Sequence, residues 1–342
     1  MNIYPKFKIF LIIYLFLISN PNISLSNEKF NEWLIGFKAR AITQGVSKET
    51  VENALKNAKY LERIVALDRK QPEFFEKTYE YIDKRVDEKR IQTGKILLNE
   101  NLTLLEKVNT KFKVDKEILV ALWGIETNFG VNKGKVDIIS ALSTLSFDNR
   151  RPEYFEKELI ILLKLIDNKT IKYESLNGSW AGAIGNFQFM PSTIQKYAVN
   201  FDEVADIDLI NSFQDSLASA ANYLKTIGWN EKDKWGFEIK IDKNFDNNLI
   251  NSDSRNLKNI ISIAQLKSLG FKNKDGSEIM YPDKKEGWLI RPDGDDGPMY
   301  IVFDNFLRLL EWNRSLRFAI NSLSSLNSFC SLGCALVITP CI

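Results

Sequence analysis

The stretch Ala121-Leu-Trp-Gly-Ile-Glu-Thr-Asn-Phe129 decides how the chain is read. It carries one carboxylate, Glu126, inside an apolar run whose Ile118, Leu119, Leu122, Ile125 and Phe129 recur at helical spacing. That spacing predicts a helix over 115–129, with Asp115 able to cap its start and Gly130 able to end it. Glu126 follows Leu122 by four residues and Leu119 by seven, so it lies on or beside the buried stripe. An ionised carboxylate is costly there unless paired, and burial would make it a candidate proton donor near neutral pH. The other reading is a glutamate at the stripe's edge, reaching water or an arginine. The helix by itself leaves both open.

Downstream, Gly178-Ser-Trp-Ala-Gly-Ala-Ile-Gly-Asn-Phe-Gln-Phe-Met-Pro-Ser192 has three glycines in its first eight residues. These break regular structure and let backbone approach a ligand closely. Interleaved Ser179, Trp180, Gln188, Phe189 and Met190 suit a sugar cleft, and equally a tight helix–helix corner. Helices are predicted over 137–144, 152–166, 191–199 and 213–227. Asn200, Asp202, Asp206 and Asp208 fall on odd-numbered positions of an EF-hand outline. Its fifth position is Val204, its sixth Ala205 and its twelfth Asn211, so the expectation is a loop that has lost its calcium and a protein without a cofactor.

Upstream, 28–114 is helical and heavily charged, with Phe30, Trp33, Leu34 and Phe37 on one face and an aromatic stripe of Phe75, Tyr79 and Ile82 beside Phe74 and Tyr81. Residues 1–26 read as a secretory signal. Lys6 and Lys8 begin it, Ile9 to Ile18 is too short to span a bilayer comfortably, and Ser24 and Ser26 predict cleavage after Ser26. An uncleaved anchor is the alternative. No Cys stands near the site, so no lipid attachment is implied. A periplasmic protein with no stable membrane span is expected.

Beyond 234 the periodicity shortens. Strands are predicted at 236–241, 287–291 and 299–303, a short helix at 260–269, and a returning helix at 307–320. The acidic turn from Asp293 to Asp296 reads as a solvated hairpin tip. Cys330, Cys334 and Cys341 all lie in an apolar end that breaks with the preceding composition, so an exported body would hold no disulfide framework. The 342 residues contain no His, which removes Ser-His-Asp triads and His-ligated zinc. Net charge is only +2, and two of the basic residues are Lys6 and Lys8, which argues against nucleic acid as a partner.

Several pieces together resemble the lytic murein transglycosylase B family. They are Gly124-Ile-Glu-Thr-Asn-Phe-Gly130, Ala141-Leu-Ser-Thr-Leu-Ser-Phe147, Arg151-Pro-Glu-Tyr-Phe155, Gly178-Ser-Trp-Ala-Gly-Ala-Ile-Gly185, Gln188-Phe-Met-Pro-Ser192, Tyr197-Ala-Val199, Ala220-Ala-Asn-Tyr223 and Trp312-Asn-Arg-Ser315. They keep the family's order and spacing from Phe30 to Ala319. The resemblance implies a mainly α (α+β) fold, a lysozyme-like helical core with an N-terminal helical region and a small subdomain containing a β-hairpin. Its parts would be 1–26 signal, 27–114 helical region, 115–234 catalytic core, 235–300 accessory subdomain, 301–320 returning helix and 321–342 atypical tail.

The same resemblance implies cleavage of peptidoglycan glycan strands at the β-1,4 bond between N-acetylmuramic acid and N-acetylglucosamine. Glu126 would act as acid and then as base, leaving a 1,6-anhydro end. Ser179 and Gln188 would hydrogen-bond the sugars, Met190 would line the wall, and Tyr223, Trp312 and Asn313 would complete the substrate cleft. A retaining hydrolase needs a second carboxylate about 5 Å away. The segment from Gly178 to Ser192 has none. A hydrolytic muramidase and a silent murein-binding protein are the competing functions.

Overall fold

The computed structural model describes residues 21–69, 76–171, 176–201, 207–295 and 297–330. Phe74 and Phe75, Asp202 and Asp206, and Cys334 and Cys341 lie outside them. The first half is helical: α1 (Pro21–Thr43), α2 (Lys48–Leu55), α3 (Glu62–Asp68), α4 (Thr78–Asp83), α5 (Glu88–Glu100), α6 (Leu102–Phe112) and α7 (Lys116–Thr127). Strand β1 (Val136–Asp137) leads into α8 (Ile138–Phe147) and α9 (Pro152–Asp167). Strand β2 (Asn177–Gly178), α10 (Pro191–Tyr197) and α11 (Phe213–Thr226) complete the central part. Next come β3 (Gly236–Lys240), β4 (Ile250–Asn251), β5 (Ile260–Ser262), α12 (Ile263–Leu269), β6 (Lys272–Asn273), β7 (Glu286–Ile290) and β8 (Met299–Val302). The described chain ends in α13 (Asp304–Trp312) and α14 (Leu316–Cys330).

One apolar core joins the N-terminal helices to α7, α8, α9, α11 and α14. Phe37 on α1 and Ile118, Leu119 and Leu122 on α7 are sealed within it. The first buried residue described in α1 is Phe30, beyond the predicted cleavage after Ser26. Among the described residues no helix is long and apolar enough to cross a membrane.

A second, smaller core belongs to the β subdomain, with Ile239, Leu266, Phe271, Leu289, Ile301 and Phe303 at its centre. Its strands run in the order β4-β7-β8-β3-β6, with β5 also on β7. Pairing is antiparallel except between β4 and β7. The stretch expected as a helix over 260–269 opens as β5 instead. Ser262 then starts α12 with a capping box to Gln265, which fixes the switch.

Three expectations are corrected. Asp293 is not a solvated tip: its carboxylate accepts from the Thr78 backbone N and hydroxyl, both at 2.8 Å, and from Arg317 at 2.9 Å. It ties the β7–β8 turn to α4 and α14. The returning helix breaks at Asn313, whose backbone is extended, and restarts where the Ser315 hydroxyl accepts from Phe318 N. From 321 to 330 the chain is no atypical tail but the continuation of α14, packed on α7. Its serines Ser322 and Ser325 can be buried because their hydroxyls donate to carbonyls one turn back, as the half-buried Ser328 also does. Phe329 fills a slot over Gly94, where a Cβ would lie 2.5 Å from its ring.

Asp115 stands at the start of α7 but makes no side-chain cap. It accepts instead from Trp229 Nε1 at 2.8 Å. Burial pushes its carboxyl up to about 6, against the lowering effect of that bond. Folded Asp115 therefore favours the proton, and its contribution to stability is present below pH 4 and lost as pH rises towards 6. Asp115→Asn, which still accepts from Trp229, is expected to gain roughly 2 kcal/mol over the wild type at pH 7.5 and nothing at pH 4. Paired urea melts at the two pH values measure this.

Candidate active site

Glu126 is held at the C-terminal end of α7 by an abrupt stop. Asn128, Phe129 and Gly130 all adopt left-handed backbone, at φ 50°, 58° and 82°. Thr127 locks this end: its hydroxyl lies 2.9 Å from the Asn186 carbonyl and accepts from Gly130 N at 2.9 Å. Asn186 also accepts from Trp123 Nε1 at 3.2 Å, so α7 is pinned to the glycine-rich segment. The Phe129 ring folds back over Gly124, where a Cβ would sit 2.8 Å from it.

That segment forms the facing wall. Strands β1 and β2 pair Val136 with Gly178, and Ile184 bridges to Phe189. Glu158, buried on α9, accepts from Ser192 N at 2.9 Å and its hydroxyl at 2.6 Å, which sets the start of α10. Between the walls opens a groove of about 390 Å³. Glu126, Gln188, Met190, Tyr223, Trp312 and Asn313 all line it. Six expected residues thus converge from α7, the glycine-rich corner, α11 and α13.

Ser179 does not line the groove. Its hydroxyl accepts from Ala183 N at 3.0 Å and closes a tight turn. Gln188 lines the groove with left-handed backbone, while its amide nitrogen donates to the carbonyls of Lys133 and Gly185. Trp180 and Phe189, which suit a sugar cleft by sequence, line the same groove, and so do Arg151 and Tyr154, to which the sequence reading gives no role. The motif Arg151-Pro-Glu-Tyr-Phe155 was the available signal. Arg151 is anchored from behind by an ion pair with Asp68, which is 1% exposed.

The half-buried Glu126 carboxyl accepts from Trp312 Nε1 at 2.9 Å. Trp312 stacks on Tyr223 at 4.9 Å and 19°, and Tyr223 stacks on Tyr197 at 4.2 Å and 16°. Phe189 meets the indole edge-on at 5.4 Å. The Tyr223 phenol donates to the Glu311 carbonyl at 3.0 Å, and burial, with Tyr197 nearby, drives its pKa far above the ordinary tyrosine value. Tyr223 thus presents a fixed aromatic ring to the groove, its phenol held by the Glu311 carbonyl.

Of the calcium-like outline, Asn200 and Asp208 lie among the described residues, and Asp202 and Asp206 do not. Asp208 accepts from Ile210 N, Asn211 N and Asn211 Nδ2, so Asn211, at the twelfth position, offers a donor where a carboxylate is needed. Buried Asp215 accepts from Phe201 N at 2.7 Å and from Asp208 N at 3.0 Å.

A family model described as "Transglycosylase SLT domain" matches residues 29–324. Membrane-bound lytic murein transglycosylase B of Escherichia coli K12 is 34% identical over 200 residues, 56% of this chain and 55% of that protein. The chain thus spans about half the length of that curated relative. A crystal structure of SltB3 from Pseudomonas aeruginosa in complex with NAG-anhNAM-pentapeptide is 31% identical, with a TM-score of 0.80 over 88% of this chain and 80% of that one. Escherichia coli Slt35 in complex with calcium is 27% identical, with a TM-score of 0.73 over 89% and 93%. The expected lysozyme-like α+β fold is the one these structures share, and with the family model matching most of its length, the chain belongs to the transglycosylase SLT domain family.

Proposed function

We propose that the protein is a peptidoglycan lytic transglycosylase. It cleaves the β-1,4 bond between N-acetylmuramic acid and N-acetylglucosamine and leaves a 1,6-anhydromuramyl end. The observation that carries this reading is that Glu126 is the one carboxylate among the described residues lining the groove. With no second acid among those described residues to act as nucleophile or to activate water, the reading gives both proton transfers to this one group. Glu126 protonates the glycosidic oxygen, and the resulting carboxylate takes the proton from the muramyl C6 hydroxyl as that oxygen attacks C1. Phe155, Phe187, Phe189 and Met190 form apolar walls that exclude water from the reacting atoms. Tyr223, Trp180 and Asn313 supply surfaces for sugar rings. The anhydromuramyl fragment bound to SltB3 agrees with a product of this kind.

Digestion of purified murein followed by mass spectrometry is expected to give muropeptides ending in anhydromuramic acid. Reducing muramyl ends would establish hydrolysis instead, and no release at all would leave a binding protein. Calcium is not part of the proposal. The same digest in EGTA is expected to run at an unchanged rate, and a loss of rate would show that the loop from Asn200 to Asn211 binds the ion after all. The protein is further proposed to work in the periplasm as a released, non-lipidated form. N-terminal sequencing of exported material should then begin at Asn27.

A further inference from the structure

Glu126 sits in the last turn of α7, which ends at Thr127. The stop that follows puts two residues with side chains, Asn128 and Phe129, in left-handed backbone ahead of Gly130. That conformation is disfavoured for both and lasts only where surrounding groups hold it. The glycine-rich wall holds it from the front, through Thr127 and Asn186. Behind it stands α5, whose Arg90 Nε donates to Asn128 Oδ1 at 3.3 Å. One turn further along α5, buried Gly94 leaves a bare patch of helix. A Cβ there would lie 2.5 Å from the Phe329 ring and 3.3 Å from the tip of the Phe129 ring. The same tip lies over Gly124, two residues before the acid, where a Cβ would be 2.8 Å away. The two rings therefore come together in a slot floored by two glycines. Phe329, in the last turn of α14, is 6% exposed. Resting on the function proposed above, we infer that Phe329 is a positioning residue for Glu126: it closes the slot on the Phe129 ring and so fixes the turn of helix from which the acid projects.

Phe329 does not line the groove. It acts on the chemistry only through the direction of the last turn of α7. Gln188, Met190, Tyr223 and Trp312 reach the groove from other elements. Play in the slot therefore shifts the acid while the surfaces for the sugars stay in place. A reacting group displaced by about 1 Å costs about a hundredfold in rate, so even a small shift is read in kcat.

Phe329→Leu stays apolar but no longer reaches the slot. With uncrosslinked glycan strands prepared from murein as substrate, kcat per folded molecule is expected to fall about tenfold, with KM within about twofold of the wild type. Circular dichroism on the same samples gives the folded fraction. Phe329→Met, long and pliable enough to refill the slot, should bring kcat back to within about threefold of the wild type. Phe129→Leu removes the ring through which Phe329 acts, so adding Phe329→Leu to it should cost less than about twofold more. If Phe329→Leu does not fold, Gly94→Ala, whose methyl displaces the same ring from the other side, gives the same readouts. A lower melting temperature with kcat unchanged overturns the inference and makes Phe329 a packing residue only. A full tenfold further loss in the double variant overturns it too, because the effect would then bypass Phe129. Glu126→Gln in the same assay separates the two levels. Turnover like the wild type in Glu126→Gln defeats the acid assignment itself. A dead Glu126→Gln beside an unchanged kcat in Phe329→Leu defeats only the role of Phe329.

Discussion

Glu126→Gln is expected to lower the release of muropeptides from murein about a thousandfold, with the melting temperature within a few degrees of the wild type. The amide has the size and shape of the acid, and its oxygen still accepts from Trp312 Nε1, so the bond seen at 2.9 Å survives. What it lacks is a proton to give to a leaving alkoxide and a basic oxygen to take one back. A single general acid or base contributes about a hundredfold to ten-thousandfold, and here one group serves both steps. Retained turnover would remove Glu126 from the chemistry. A large fall in melting temperature would show that the side chain serves the fold instead.

Gly185→Ala is expected to destabilise the protein by about 3 kcal/mol or more, and to take the groove with it. Gly185 has φ +76°, and a Cβ there would overlap the carbonyl oxygen of Leu209, which belongs to the backbone and has nowhere to go. Gly294 provides the control. It has nearly the same φ, +74°, but a Cβ would meet nothing within 4 Å. Gly294→Ala therefore isolates the cost of left-handed backbone, about 1–2 kcal/mol, and the difference between the two urea midpoints reports the clash. Equal losses in the two variants would contradict the packing of the glycine-rich corner on Leu209.

Much of the site could be read from the sequence because its parts are local. The 3.6-residue period placed Glu126 on α7, and three glycines in eight residues marked the opposing corner. What escaped was long-range. Nothing in the spacing around Glu126 names Trp312 as its hydrogen-bond donor, because 186 residues separate them. Asp293 looked solvated because its partners, Thr78 and Arg317, are far away in sequence. Ser179 looked available because the turn to Ala183 cannot be seen in a string of letters. The end of α14 was misread for a different reason. Composition treats serine as a surface residue, whereas its hydroxyl can be satisfied within its own helix.

The separation between Glu126 and Trp312 also has a consequence for the timing of activity. A nascent chain carries its glutamate long before the indole that holds it has been made. Phe329, which wedges against Gly94 and lies close to the loop behind the acid, arrives later still. A polypeptide cut short before residue 312 would possess the acid without its donor, and one cut between 313 and 328 would have both but lack the final wedge. Fragments that end before residue 312 are therefore expected to release no muropeptides from murein, however well their N-terminal helices pack.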